Sequence, residues 1–214
     1  MDRTEFAGLI DHTVLGPEAT AEAVAEAVDA AAEYGMNVCV PPYCVESAAD
    51  RQPAVTLVTV CDFPHGHGTC ETKEFEAEHA WKSGADEIDL VCSVGRVKGG
   101  DLEAVRENIE RVTACVPIPV KVIVEAPLLS ESELRAVCEI AAEADASYLK
   151  TATGFNGGGA TVEDVRIMSE YLPVKASGGI EDFETAVRML DAGAERIGAS
   201  SGVEIVEGFD ADAV

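Results

Sequence analysis

The sequence has few basic residues. It contains 15 Lys plus Arg against 40 Asp plus Glu, which gives a formal net charge of −25 over 214 residues. A surface of this sign repels nucleic acid and anionic lipid, which argues against both as partners. Self-repulsion destabilises a compact chain unless salt screens it, and the Debye length falls to about 3 Å at 1 M salt. The charge therefore predicts a protein adapted to a very salty cytoplasm.

Long apolar runs and paired cysteine motifs are also missing. No run reaches the roughly 18 residues that cross a bilayer. The opening M-D-R-T-E-F lacks a signal pattern, so we expect a cytoplasmic protein that makes no membrane contact. Seven cysteines without a C-x-x-C pair predict reduced, mostly buried thiols. The one metal-like spacing, His65 and His67 in H-G-H-G, has no third ligand nearby in sequence, and we expect no metal or other cofactor.

Short apolar runs alternate regularly with amphipathic stretches. Eight β-rich runs are present, at 9–15, 36–40, 55–61, 87–92, 119–125, 147–152, 173–178 and 196–200. Helix-like segments lie between them, near 20–34, 43–50, 71–83, 101–114, 131–144, 161–170 and 182–191. With no linker between them, these steps predict a single-domain (β/α)8 TIM barrel over 1–214. A doubly wound open sheet is the alternative, but the G-x-G-x-x-G that its nucleotide-binding form carries after the first strand is missing.

Three of the six lysines lie inside predicted strands, where burial costs most. Lys150 and Lys175 fall near the carboxyl ends of their runs, where a barrel places its chemistry, and Asp89 lies at a corresponding depth. Lys121 is nearer the start of its strand. A single such lysine would most simply be a buried ion pair or a long stem reaching water, but three charges at matching depths indicate a site. The other lysines are expected to be exposed: Lys73, Lys82 and Lys98.

A pair of close lysines suits one kind of chemistry. An amine must be neutral to attack a carbonyl, and a second ammonium about 5 Å away disfavours the charged form by roughly 3 kcal/mol at an effective dielectric of about 20. Desolvation acts in the same direction. The pair therefore indicates a Schiff-base enzyme, with Asp89 as a carrier of protons. The residues alone do not decide whether Lys150 or Lys175 is the nucleophile.

Three glycine-rich loops follow the last three predicted strands. They are T-G-F-N-G-G-G at 153–159, A-S-G-G-I at 176–180 and I-G-A-S-S-G at 197–202. Glycine lets backbone N–H groups crowd around an anion, and barrels commonly hold phosphate at the loops after strands 7 and 8 together with a short extra helix. The segment V-E-I-V after Gly202 is the candidate for that helix. The loops predict a phosphate site that needs no basic side chain.

Several segments resemble one known family. Y-L-K-T-A-T-G-F and V-K-A-S-G-G-I are similar to the two lysine motifs of deoxyribose-phosphate aldolases. Six further segments resemble family segments in the same order: I-D-H-T-V-L, N-V-C-V-P-P, F-P-H-G-H-G-T, E-I-D-L-V-C-S-V-G, K-V-I-V-E and R-I-G-A-S-S-G. The resemblance covers about residues 9–202.

The resemblance implies a role for each matching residue. Lys150 would form the Schiff base, Lys175 would help its amine to lose a proton, and Asp89 would transfer protons through a water. Positions matching residues that bind substrate or its phosphate are Asp11, Thr13, Gly154, Gly178, Gly179, Gly198 and Ser200. The family is metal-free. Cys39 matches a cysteine that lines the mouth of the barrel in the family. Some family members end in a tyrosine, which is absent from the G-F-D-A-D-A-V of this sequence.

The resemblance also implies a reaction, the reversible cleavage of 2-deoxyribose 5-phosphate to glyceraldehyde 3-phosphate and acetaldehyde, as in deoxynucleoside breakdown. We expect a small phosphorylated sugar as substrate and a homo-oligomer, either a dimer or a tetramer. Three alternatives stay open: another Schiff-base aldolase or transaldolase, a phosphosugar isomerase or cyclase, and a non-catalytic phosphosugar-binding barrel. It is also open whether Lys121 and Glu125 pair with each other or touch substrate.

The first prediction concerns salt. The melting temperature should rise between dilute buffer and multimolar KCl, because added ions screen the repulsion among 40 carboxylates. Circular dichroism melts across a KCl series measure this. A melting temperature that stays the same across the series would reject salt adaptation.

Overall fold

A computed structural model describes residues 1–213 of the chain. Eight parallel strands close into a barrel in sequence order, and the first strand pairs with both the second and the eighth. The strands are β1 Ile10–Thr13, β2 Asn37–Val40, β3 Leu57–Cys61, β4 Glu87–Val91, β5 Val120–Ile123, β6 Tyr148–Lys150, β7 Val174–Ser177 and β8 Ala194–Ala199. Each lies within or overlaps one predicted run, so the (β/α)8 barrel predicted from the sequence is confirmed.

Helices surround the barrel. They are α1 Arg3–Ala7, α2 Ala21–Tyr34, α3 Val45–Arg51, α4 Cys70–Lys82, α5 Val94–Lys98, α6 Leu102–Cys115, α7 Glu131–Glu143, α8 Val162–Met168, α9 Phe183–Asp191 and α10 Gly202–Glu207. The seven predicted helices correspond to α2, α3, α4 and α6–α9, and α10 forms at the predicted V-E-I-V segment. Helices α1 and α5 were not predicted, since five residues are too few to show a helical period. No helix of residues 1–213 has the length and apolarity needed to cross a membrane.

Side chains at the helix starts cap the first turns of several of these helices. The Thr20 hydroxyl accepts a hydrogen bond from the backbone N–H of Ala23 at the start of α2. Ser130 and Glu133 form a reciprocal capping box at the start of α7. Each bond satisfies an N–H that the helix cannot pair internally, a contribution of typically about 1 kcal/mol. These caps begin the helices within the segments predicted near 20–34 and 131–144.

The barrel interior is divided between apolar and charged side chains. On the β2–β3 side, Cys39, Val58 and Val60 form a small buried cluster. The remaining strands point charged groups inward, among them the fully buried Asp89 and Lys121. The main apolar core therefore lies outside the strands, against the helices, and the interior is free to hold a charged site.

The expectation that Lys73 is exposed was wrong. The side chain is fully buried in α4, and its Nζ donates to the Val91 carbonyl at 2.9 Å and to Asn108 Oδ1 at 2.7 Å. It also lies 3.2 Å from Asp62 Oδ2. A sequence signal for this burial existed, because Lys73 shares the buried face of α4 with Ala77, four positions on. Lys73 thus joins α4 and α6 to the ends of β3 and β4.

A matched pair of variants on α4 tests this assignment. Lys73→Ala should lower the free energy of unfolding by about 3–5 kcal/mol, because it leaves buried partners without their cation. Lys82→Ala, which removes an exposed pair with Glu78, should change it by less than about 1 kcal/mol. Urea unfolding at one fixed KCl concentration measures both. Equal effects of the two variants would contradict the buried network.

Candidate active site

Two lysine amines contact the same carboxylate oxygen inside the barrel. Lys150 Nζ on β6 and Lys175 Nζ on β7 each lie 2.8 Å from Asp89 Oδ2 on β4. The two lysines are also direct neighbours in the β6–β7 register. Because both side chains point inward at one level, the structure brings together the three residues that the sequence singled out.

The charged cluster continues below these side chains. Lys121 Nζ lies 2.9 Å from the other oxygen of Asp89 and 2.6 Å from Glu87. Arg196 lies 3.0 Å from Asp11 and 3.1 Å from Glu87. Every member of this lower group is therefore paired with an opposite charge.

The whole cluster holds one more basic group than acidic groups. Its three carboxylates are those of Asp11, Glu87 and Asp89, and its four basic groups are those of Lys121, Lys150, Lys175 and Arg196. Isolated charge is costly in a dry interior. Loss of one proton from one basic group would make the cluster neutral, so the arrangement favours one neutral amine.

The environment of each group determines which proton is easiest to lose. Burial raises the pKa of Asp89, but Lys121, Lys150 and Lys175 outweigh burial and hold that pKa well below its usual range. Burial lowers the pKa of Lys175, but the carboxylates of Asp11 and Asp89 outweigh it and raise the pKa. Burial likewise opposes ionisation of Asp11, whose pKa is nonetheless lowered, chiefly by Lys175. Lys175 is therefore held as an ammonium between two carboxylates.

Lys150 differs from the other two interior lysines in both contacts and access. It contacts a single carboxylate, that of Asp89, which it shares with Lys175. Lys175 and Lys121 each contact two carboxylates. Lys150 is also the one of the three that lines the cavity at the mouth of the barrel. The geometry thus distinguishes Lys150 from Lys175, which the residue types alone could not do.

A cavity of about 330 Å³ opens above Lys150, a size within the usual range of small-ligand sites. The residues suggested by the sequence that line it are Thr13, Gly154, Gly178, Gly179, Gly198 and Ser200. Asp11 is not among the lining residues, because it is fully buried beneath Lys175. Further lining residues that the sequence did not single out include Leu15, Phe155, Ser177 and Glu181.

Gly198 and Gly159 lie where the Cβ of any other residue would come too close to a neighbouring atom. A Cβ on Gly198 would lie 2.8 Å from Cε of Lys175, so a larger residue there would displace the lysine. Gly178 has φ +93°, and its carbonyl oxygen would lie 2.3 Å from a Cβ on Gly159. The glycines therefore permit both the loop crossing above β7 and the position of the second lysine.

Glu125 supports the loop after β6 and does not pair with Lys121. Its carboxylate accepts hydrogen bonds from the Thr153 backbone N–H at 3.1 Å, the Thr153 hydroxyl at 2.8 Å and Asn156 Nδ2 at 2.9 Å. The side chain is fully buried, and its backbone has φ +57°. Glu125 thus positions the cavity wall that contains Gly154, a role that the sequence gave no signal for.

The predicted mostly buried thiols are confirmed for five of the seven cysteines, including Cys39. Burial raises the pKa of Cys39 to about 11. His65 and His67 are exposed, with their rings stacked at a centroid distance of 5.6 Å. Within residues 1–213, no group of three or more His, Cys, Asp or Glu side chains is arranged to hold a metal ion.

The raised pKa of Cys39 gives a testable consequence. The thiolate is the form that reacts, so iodoacetamide at pH 7.5 should leave Cys39 unmodified in the folded protein. The partly exposed Cys70 should be alkylated under the same conditions. Peptide mass mapping after a timed reaction measures both, with unfolded protein as the control. Alkylation of Cys39 as fast as that of Cys70 would contradict the buried, protonated thiol.

Comparisons with known proteins agree with this geometry. The model of the family described as DeoC/LacD family aldolase matches residues 6–208. Deoxyribose-phosphate aldolase of Natronomonas pharaonis is 67% identical to this chain, over 98% of this chain and 97% of its own length. The deoxyribose-phosphate aldolase of Halobacterium salinarum is 56% identical, over 98% of this chain and 99% of its own length. Both relatives come from halophilic archaea, which fits the salt adaptation that the charge predicts.

A solved structure shows the same likeness. A tetrameric deoxyribose phosphate aldolase from Aeropyrum pernix superimposes with a TM-score of 0.89 and 31% identity, over 98% of this chain and 93% of that one. The family match covers nearly the whole chain, and the identity to curated relatives is well above the level at which families are shared. The chain therefore belongs to the DeoC/LacD family of aldolases.

Proposed function

We propose that the protein is a class I deoxyribose-phosphate aldolase that uses Lys150 as its Schiff-base lysine. The supporting observation is the shared contact of Lys150 and Lys175 with one oxygen of the buried Asp89, at the floor of a cavity lined by glycine loops. The family membership and the names of the curated relatives support the same activity. The substrate is 2-deoxyribose 5-phosphate, and the products are glyceraldehyde 3-phosphate and acetaldehyde.

Cleavage begins when the neutral Lys150 amine attacks C1 of the open-chain sugar. Loss of water gives a protonated imine, which withdraws electrons from C2. Transfer of the C3 hydroxyl proton through a bound water to Asp89 then breaks the C2–C3 bond, whose electrons form an enamine while glyceraldehyde 3-phosphate leaves. Protonation of the enamine at C2 and addition of water to the imine release acetaldehyde and regenerate the amine.

Lys175 keeps the nucleophile neutral by remaining charged itself. Its ammonium is fixed between Asp11 at 2.5 Å and Asp89 at 2.8 Å. Since it contacts the same oxygen as Lys150, a proton added to Lys150 would be repelled by this neighbour.

Asp89 acts as the proton carrier of the site. Its Oδ2 lies 2.8 Å from Lys150 Nζ, within hydrogen-bond reach of the proton that must move. The low pKa of Asp89 means that it passes a proton on to a bound water or substrate hydroxyl instead of storing it. Water is the proposed proton donor to the enamine.

The phosphate binds in the glycine loops at the far end of the cavity. Gly154, Gly178, Gly179, Gly198 and Ser200 line it from three successive loops, after β6, β7 and β8. Backbone N–H groups supply the positive ends of dipoles there without adding a basic side chain. Thr13 lines the cavity from the end of β1, the strand that pairs with β8, and Asp11 acts from below by holding Lys175.

We also propose that the chain, folded as a single domain over 1–214, assembles as a homo-oligomer in a salty cytoplasm. The tetrameric relative from Aeropyrum pernix supports assembly without fixing the number of subunits. Light scattering at high KCl, where charge repulsion between copies is screened, measures the assembly directly.

The choice of carbonyl donor tests the proposed activity against other Schiff-base aldolases. Borohydride reduction with acetaldehyde should add one ethyl group per chain and abolish cleavage, because reduction makes the imine permanent. Reduction with dihydroxyacetone phosphate should leave the mass unchanged. Intact mass spectrometry reads both results. An adduct with dihydroxyacetone phosphate alone would indicate another aldolase, and no adduct with either would indicate a non-covalent isomerase or binding protein.

Lysine variants test the roles within the site. Lys150→Met should lower kcat/KM for 2-deoxyribose 5-phosphate by at least about 10³-fold, the scale seen when a nucleophile is removed. Lys175→Met should lower it by roughly 100-fold, because a neighbouring ammonium contributes about 3 kcal/mol at an effective dielectric of about 20. Lys98→Met, at an exposed position, is the control. Retention of activity in Lys150→Met would refute the covalent route.

A further inference from the structure

One charged side chain of the cavity wall has no part in the proposed chemistry. Among the lining residues described, Lys150 is the one basic side chain and Glu181 is the one carboxylate. Glu181 is exposed and forms no ion pair with the residues that the structure describes. It follows the Gly178–Gly179 loop by two positions, so its charge lies beside the proposed phosphate site. A carboxylate at this place opposes the binding of an anion.

Glu181 is also the link to a larger acidic surface. A second cavity shares Glu181 with the first, and its walls contain four more carboxylates, those of Asp182, Glu184, Glu204 and Asp210. No basic side chain lines this second cavity. The acidic wall of the second cavity therefore reaches, through Glu181, into the wall of the proposed site.

We propose that Glu181 makes the preference for phosphorylated over unphosphorylated substrate depend on salt concentration. This inference rests on the proposed function and assigns a specificity role to a residue of the same site. For an assumed separation of about 8 Å and a water-like dielectric, repulsion between one carboxylate and a doubly charged phosphate weakens binding by about five-fold in dilute salt. At 1 M salt the Debye length is about 3 Å, and the repulsion is largely screened. The backbone N–H groups then bind the phosphate without opposition.

The position of Glu181 separates this effect from general surface charge. A surface carboxylate elsewhere is screened and distant, and it changes binding little. Glu181 is shared by both cavities, whereas its neighbour Glu184 lines the acidic cavity alone. The two residues therefore form a matched pair in which only one is expected to discriminate between substrates.

The experiment compares KM values for 2-deoxyribose 5-phosphate and for 2-deoxyribose across a KCl series, at concentrations where the circular dichroism spectrum is unchanged. For the natural protein, the ratio of the phosphorylated to the unphosphorylated KM should fall several-fold as KCl rises. Glu181→Gln should lower that ratio about three- to five-fold at the lowest KCl and flatten its dependence on salt. Glu184→Gln should follow the natural protein.

A charge reversal gives the opposite sign. In Glu181→Lys, the KM ratio should be lowest in dilute salt and should rise with KCl, because the added ammonium attracts the phosphate until salt screens it. Identical ratios in Glu181→Gln and the natural protein would overturn the inference. So would equal changes in Glu181→Gln and Glu184→Gln, since the effect would then belong to the surface as a whole.

A binding measurement separates this inference from the proposed activity. Titration with inorganic phosphate by calorimetry requires no turnover, and Glu181→Gln should tighten phosphate binding about three- to five-fold at the lowest KCl. If neither sugar is cleaved, the proposed activity fails while this titration still decides the role of Glu181. An unchanged affinity for phosphate in Glu181→Gln would overturn the inference even in an active aldolase.

Discussion

The structure depends on the contact of two lysine amines with one oxygen of Asp89. Three strands must deliver their side chains to the same level of the barrel for this contact to form, and β4, β6 and β7 do so at Asp89, Lys150 and Lys175. Removal of three charges from water is costly unless each has a partner. The lower pairs of Lys121 and Asp11 supply those partners, so the cluster is satisfied everywhere except for one surplus proton.

The rest of the fold serves this contact. The barrel places its apolar core outside the strands, which leaves the interior available for charge. Gly198 leaves room for the Lys175 side chain, and Glu125 fixes the loop that closes the cavity above Lys150. We expect the acidic exterior to need salt for stability. The proposed anion site relies on backbone dipoles, which suits a composition with few basic side chains.

Much of this arrangement was predictable from the sequence, for physical reasons. Strands and long helices carry a periodic pattern of apolar residues, so the eight strand runs and long helices such as α2 could be identified from the sequence. Helices α1 and α5 are too short to show such a pattern. Glycine loops and strand lysines stand out by type and position. Lys73 was misjudged, because a helical lysine is usually solvated and its partners Asp62, Val91 and Asn108 lie outside its own helix. The support that Glu125 gives to Thr153 is equally a product of tertiary contact.

The central claim is that Lys150 reacts because it shares one carboxylate, whereas Lys175 is held by two. The most direct measurement is peptide mapping of the ethyl group left by acetaldehyde and borohydride at neutral pH, in the natural chain and in Lys150→Met. The account predicts that the group is found on Lys150 alone and that it does not move to Lys175 when Lys150 is replaced. Labelling of Lys175 in the natural chain, or equal labelling of both lysines, would contradict it.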